Sequence, residues 1–101
     1  MTIRRVYVSE PSKEDVRRIV RYIRLDKPAA AEHFKSQLKS RIRSLEKFAE
    51  RGRKVPELVG TVFHDYRELI VPPCRILYRI SLKEVFVLRV LHSKRQFLLF
   101  D

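Results

Sequence analysis

Glu57, Arg75, His92 and Arg95 are the residues of this chain whose types could do acid–base and phosphate chemistry. Cutting RNA needs a base to activate a 2′-hydroxyl, cations to stabilise the phosphorane-like charge, and an acid for the leaving oxygen. Histidine exchanges protons near neutral pH. Glu57 or His92 could therefore serve in proton transfer, with Arg75 and Arg95 as charge stabilisers. The same set would also suit a grip on an anionic partner without any cleavage.

Whether these groups meet depends on the strands that carry them. CRILYRI and EVFVLRVLH are rich in β-branched and aromatic residues and read as two strands, about 74 to 81 and 84 to 92, reversed at Ser81-Leu82-Lys83-Glu84. A tight symmetric turn sets Ile80 opposite Val85 and Arg75 opposite Val90. Alternation then places Cys74, Ile76, Tyr78 and Ile80 with Val85, Val87, Arg89 and Leu91 on a face fit for burial under helices. Arg75, Leu77 and Arg79 fall with Phe86, Leu88, Val90 and His92 on the other, where Arg75 and His92 are diagonal neighbours. A slip of one residue would invert this. Arg89 stands out on the covered face and is expected at its edge or paired with a carboxylate.

Upstream, IRRVYV (Ile3 to Val8) suits a short strand. Pro11 stops it, and Ser12 with Asp15 resembles a capping pair at a helix start. Val16, Ile19, Val20 and Ile23 follow helical spacing to about Leu25. Asp26 and Pro28 mark a break, after which Phe34, Leu38, Ile42, Leu45 and Phe48 or Ala49 stripe a second helix of about 22 residues ending near Gly52. So short a connection implies an antiparallel helical hairpin. RGRKVPELVGT reads as a linker to three strands, the first about 63 to 71, reversed at Pro72-Pro73. The expected fold class is α+β: an N-terminal strand that joins the sheet, then a helical hairpin packed on a C-terminal antiparallel sheet. Residues 1 to 101 are expected to form one domain.

Twenty-three Lys and Arg against 12 Asp and Glu give a formal net charge of +11, a field that draws polyanions or acidic protein segments. Residues 13 to 54 hold 14 basic and 6 acidic side chains, so +8 lies on the hairpin. Lys35, Lys39, Arg43 and Lys47 repeat every four residues, either a solvated helix face or a partner-binding stripe. Cys74 is the one cysteine, which excludes a disulfide framework and fits a reducing cytoplasm. No apolar run approaches membrane-spanning length, so no membrane role is expected. The scattered histidines and Cys74 lack metal-ligand spacing, and neither a phosphate-cradling glycine loop nor a nucleophile elbow occurs, so no metal or cofactor is implied. Tyr66, Tyr78 and Phe86 could stack on bases, with core packing their expected role.

The order strand, helical hairpin, three strands resembles the RelE/ParE superfamily of toxins from type II toxin-antitoxin modules, also described as plasmid stabilisation proteins. DVRRIVRYIRLDKPAAAEHFKSQLKSRIRSLEKF is similar to the ParE-type hairpin; GRKVPEL, YRELIVPPCRILYRI and VFVLRVLHSKR are similar to its linker and strands. The resemblance implies a small basic growth inhibitor in the cytoplasm, neutralised in a hetero-oligomer by an acidic antitoxin that wraps around it. Arg67, Arg79, Lys94, Lys35, Lys39 and Arg43 are then candidates for target or antitoxin binding. ParE-like members poison DNA gyrase, whereas RelE-like members cut messenger RNA on the ribosome. Glu57, Arg75 and His92 fall where one nuclease branch carries its glutamate, arginine and histidine, but Ser93 stands where that branch has tyrosine. Arg53 and Lys54 stand where the RelE type has a lysine cluster. Gyrase inhibition is the leading expectation. The alternatives are a metal-independent mRNA endoribonuclease using Glu57, Arg75, His92 and Arg95, and a non-toxic antitoxin-binding module.

Overall fold

A computed structural model describes residues 2 to 92. The chain runs as strand β1 (Arg5–Val8), helix α1 (Glu10–Asp26), helix α2 (Pro28–Ser44), strand β2 (Arg53–Lys54), and strands β3 (Arg67–Val71), β4 (Cys74–Ile80) and β5 (Glu84–His92). Single 3₁₀ turns at Ala49–Arg51 and Pro56–Leu58 flank β2.

The five strands form one sheet in the order β1-β5-β4-β3-β2. β2 to β5 pair antiparallel, and β1 joins at the edge parallel to β5, with Tyr7 opposite Phe86. The α+β architecture of strand, helical hairpin and mostly antiparallel sheet is the expected one.

α1 starts one turn earlier than Ser12 implies. Ser9 is its cap, its hydroxyl accepting from the Ser12 amide at 3.2 Å, and Pro11 sits in the first turn, where its missing N–H costs nothing. Ser12 and Asp15 are both buried. α2 ends at Ser44 rather than running about 22 residues, yet its stripe continues inward through Leu45 and Ala49.

The main core lies between the hairpin and the sheet. Phe34, Leu38, Leu45 and Ala49 meet Leu69, Val71, Cys74, Ile76, Tyr78, Val85, Val87 and Val90, with Val16, Ile19 and Ile23 of α1 packed alongside. Burial of this apolar stripe, rather than intrinsic helix propensity, stabilises the hairpin.

The segment read as a linker is the main departure from expectation. After β2 it crosses to the opposite face of the sheet, where Val55 and Leu58 pack on Leu77 with Phe63 and Tyr66 against them. β3 consequently begins at Arg67 rather than near residue 63. Gly52 makes the crossing possible by close approach: a Cβ there would overlap the Tyr78 hydroxyl and lie 2.6 Å from the Glu68 carbonyl oxygen. Tyr78 pins the same point, donating to the Ala49 carbonyl at 2.6 Å and accepting from the Gly52 amide at 3.0 Å.

Candidate functional site

Arg75 is set by β4 on the outer face, away from the helices, in a strand whose inward neighbours Cys74 and Ile76 belong to the core. Arg75 is only 8% exposed, so its charge persists there only with partners. Two carboxylates supply them. Glu57, from the crossing segment, receives Nη2 at 2.8 Å and Nη1 at 3.3 Å. Glu68 of β3 receives Nη1 at 2.9 Å and also accepts from Arg53 Nε at 2.8 Å. Glu57, Arg75, Glu68 and Arg53 thus form a chain of alternating sign whose formal charges cancel.

Glu68 follows from the Pro72-Pro73 reversal. That turn sets Val71 opposite Cys74 and Ile70 opposite Arg75, which puts Glu68 diagonally beside Arg75 on the outer face. The signal in the sequence is an acid inside RELIV two residues from the partner of Arg75, and sequence reasoning passed over it. Glu68 is 1% exposed, the most deeply buried charge of the group.

The hydrogen bonds from Arg75, outweighing the opposing effect of burial, hold the Glu57 carboxyl below its ordinary pKa. The same contact, ahead of burial, raises the pKa of Arg75. A general base is most effective when its pKa lies near the working pH. Glu57 is displaced away from it.

His92 does not stand where the symmetric register put it. Ile80, Arg79 and Tyr78 pair with Val85, Phe86 and Val87 as expected, but Leu77 pairs with Arg89, because a β-bulge takes up Leu88. Beyond the bulge Arg75 lies opposite Leu91 rather than Val90, and His92 lies opposite Cys74. Arg75 and His92 therefore fall on opposite faces of the sheet by register, and their expected diagonal pairing is corrected. Val90 accordingly joins the helix-side core.

Arg89 pairs with a carboxylate, as expected for a cation among core strands. Its Nε and Nη2 reach Asp15 of α1 at 2.7 and 2.9 Å, and the Val90 amide adds a bond at 3.0 Å to the same side chain. Asp15, a capping candidate in the sequence, instead ties α1 to β5.

The remaining candidates are dispersed. Arg67 donates to the Gly52 carbonyl at 2.8 Å and braces the crossing. Arg79 lies over the Phe86 ring, 4.9 Å from its centre. Lys39 and Arg43 are exposed on α2 with Lys35 half-buried beside them, a cationic stripe. Lys94 and Arg95 lie outside the described residues. Tyr78 and Cys74 are core residues, and burial pushes the Cys74 thiol up to about 11.

A strand, a helical hairpin on one sheet face, a mostly antiparallel sheet and a basic surface around a charge-matched Arg75 define a small α+β protein. A family model described as the ParE toxin of the type II toxin-antitoxin system parDE matches residues 6–97, and the chain belongs to that family. In fold it is similar to a chain of a chromosomal ParDE toxin-antitoxin system from P. aeruginosa, with TM-score 0.75 and 18% identity over 91% of this chain and 98% of that one. It is also similar to a chain of the RelBE2 toxin-antitoxin complex from Mycobacterium tuberculosis, with TM-score 0.62 and 17% identity over 90% and 99%. Among curated proteins no significant relative is found. Among the described residues no helix is long and apolar enough to cross a membrane.

Proposed function

We propose that this toxin-family chain is a ParE-like growth inhibitor that acts on DNA gyrase by docking, in the cytoplasm, and that an acidic antitoxin neutralises it in a hetero-oligomer. The observation that carries the reading is the enclosure of Arg75 between Glu57 and Glu68. An RNA-cleaving site needs that guanidinium to meet a developing phosphorane, and here its charge is already matched inside the fold. Glu57, held below the usual carboxylate range by Arg75, is correspondingly weak as a base.

Docking needs no catalytic residue. Lys39 and Arg43, with Lys35 beside them, give α2 a cationic stripe that suits electrostatic steering toward an acidic partner. Similarity to chains from two toxin-antitoxin systems, and the family itself, support an antitoxin as one such partner.

Induction of the chain in cells lacking antitoxin tests the reading. Growth arrest with double-strand DNA breaks and an SOS response, without cleaved messages, is the expected outcome. Codon-phased cleavage of messenger RNA would overturn it in favour of a ribosome-dependent nuclease. Normal growth with soluble, folded protein would overturn it in favour of a non-toxic antitoxin-binding module.

A further inference from the structure

Tyr7, Phe86 and Arg79 form a single row across the adjacent strands β1, β5 and β4. Val6, Val8, Val85 and Val87 pack into the helix-side core, so alternation turns Tyr7 and Phe86 to the outer face. The two rings stack at 15° with centres 5.7 Å apart, and the Arg79 guanidinium, from the strand on the other flank of β5, lies over the Phe86 ring 4.9 Å from its centre. The pile ends at Tyr7, which is 41% exposed. None of the three belongs to either buried cluster. Packing the core does not account for them.

Beside Tyr7 the surface opens into a cavity of about 890 Å³ lined by Arg4, Arg5, Tyr7, Lys83, Glu46 and Glu84. That is within the size range of ligand sites, roughly 300–1,000 Å³. Arg5 reaches the Tyr7 hydroxyl at 3.4 Å, which puts a guanidinium at the rim of the ring.

We propose that this edge binds single-stranded nucleic acid, one unpaired base stacking on Tyr7 to extend the Arg79–Phe86–Tyr7 pile while Arg5 and Lys83 meet the phosphates. An aromatic face accepts any base, and cations beside it follow the backbone. Glu46 and Glu84 supply acceptors for exocyclic amines. The net charge of +11 draws such a strand to the surface. An acidic peptide would use the cations but leave the aromatic end of the pile unoccupied. The proposal stands independently of the gyrase reading.

The test uses the full chain, free of antitoxin, and fluorescence anisotropy with four labelled 12-residue probes: mixed-sequence DNA, the same sequence as RNA, the same DNA as a duplex, and an abasic strand. Base stacking predicts that the tighter single strand binds about tenfold better than the abasic strand. Tyr7→Leu should remove that advantage and leave abasic binding unchanged, whereas Tyr7→Phe should retain it. Whether DNA or RNA binds better names the sugar, and either supports the site. Equal affinity for single, duplex and abasic probes, or indifference of single-strand binding to Tyr7→Leu in a variant that melts like the wild type, would overturn it. So would a poly-glutamate peptide whose own binding fell with Tyr7→Leu while that of the strands did not.

Discussion

Glu57 and Arg75 meet through two hydrogen bonds, at 2.8 and 3.3 Å, that tie the crossing segment to the middle of the sheet. The pair fastens the cover of that part of the outer face, in which Val55 and Leu58 pack on Leu77.

Because Arg75 lowers the Glu57 pKa in the folded state, the contact stabilises the protein above the ordinary carboxylate pKa. The stabilisation fades as pH falls from the ordinary glutamate value through the lower folded value. The difference in melting temperature between the wild type and Glu57→Gln should accordingly be largest near pH 7 and shrink below about pH 4.5. A difference independent of pH would show that the pair contributes packing rather than charge. Glu57 is half exposed, so the effect should be modest.

Arg75 and Glu68 form the buried centre of the network, and removing one partner strands the other. Arg75→Met should destabilise by about 3–5 kcal/mol in urea denaturation, since Glu68 keeps only its contact with Arg53. The double variant Arg75→Met with Glu68→Leu should be milder than the sum of the single changes, because two apolar groups replace a desolvated pair. Additive losses would mean that the two side chains act independently. Any loss of cellular activity in Arg75 variants therefore has to be compared with their stability.

Tyr78 and Gly52 make one joint. Tyr78→Phe leaves the Ala49 carbonyl and the Gly52 amide without their buried partner and should cost about 1–3 kcal/mol. Gly52→Ala forces a methyl group against Tyr78 and the Glu68 backbone and should cost a comparable ~1–3 kcal/mol by overpacking. Chemical denaturation of both checks the pair, and a neutral Gly52→Ala would show that the crossing can relax.

Cys74 is fully buried, and burial raises its thiol to about 11. Thiolate is the reactive form, so it should resist Ellman's reagent at pH 8 in the native state and react on denaturation. Rapid native labelling would place Cys74 in a segment that opens readily.

The sequence by itself determined the order of the two helices and four longer strands, the hairpin, the apolar stripes through Val20, Phe34 and Leu38, and the basic surface, because these depend on local periodicity and composition. It also flagged Arg89 as needing a partner and set Ile80 opposite Val85 correctly, since a four-residue reversal is a local signal. Alternation along β4 already gave Arg75 the outer face, whereas tertiary structure alone decided the face of His92. One additional residue, Leu88, is accommodated by a bulge, and alternation converts that single step into an inversion of everything beyond it. Tertiary structure also turned RGRKVPELVGT from a connector into a cover and brought Glu57, 18 residues from Arg75, onto its guanidinium, where Glu68 arrives across the local β3–β4 reversal. Such partners are chosen by burial, which obliges a charge to find its opposite wherever the fold has placed one.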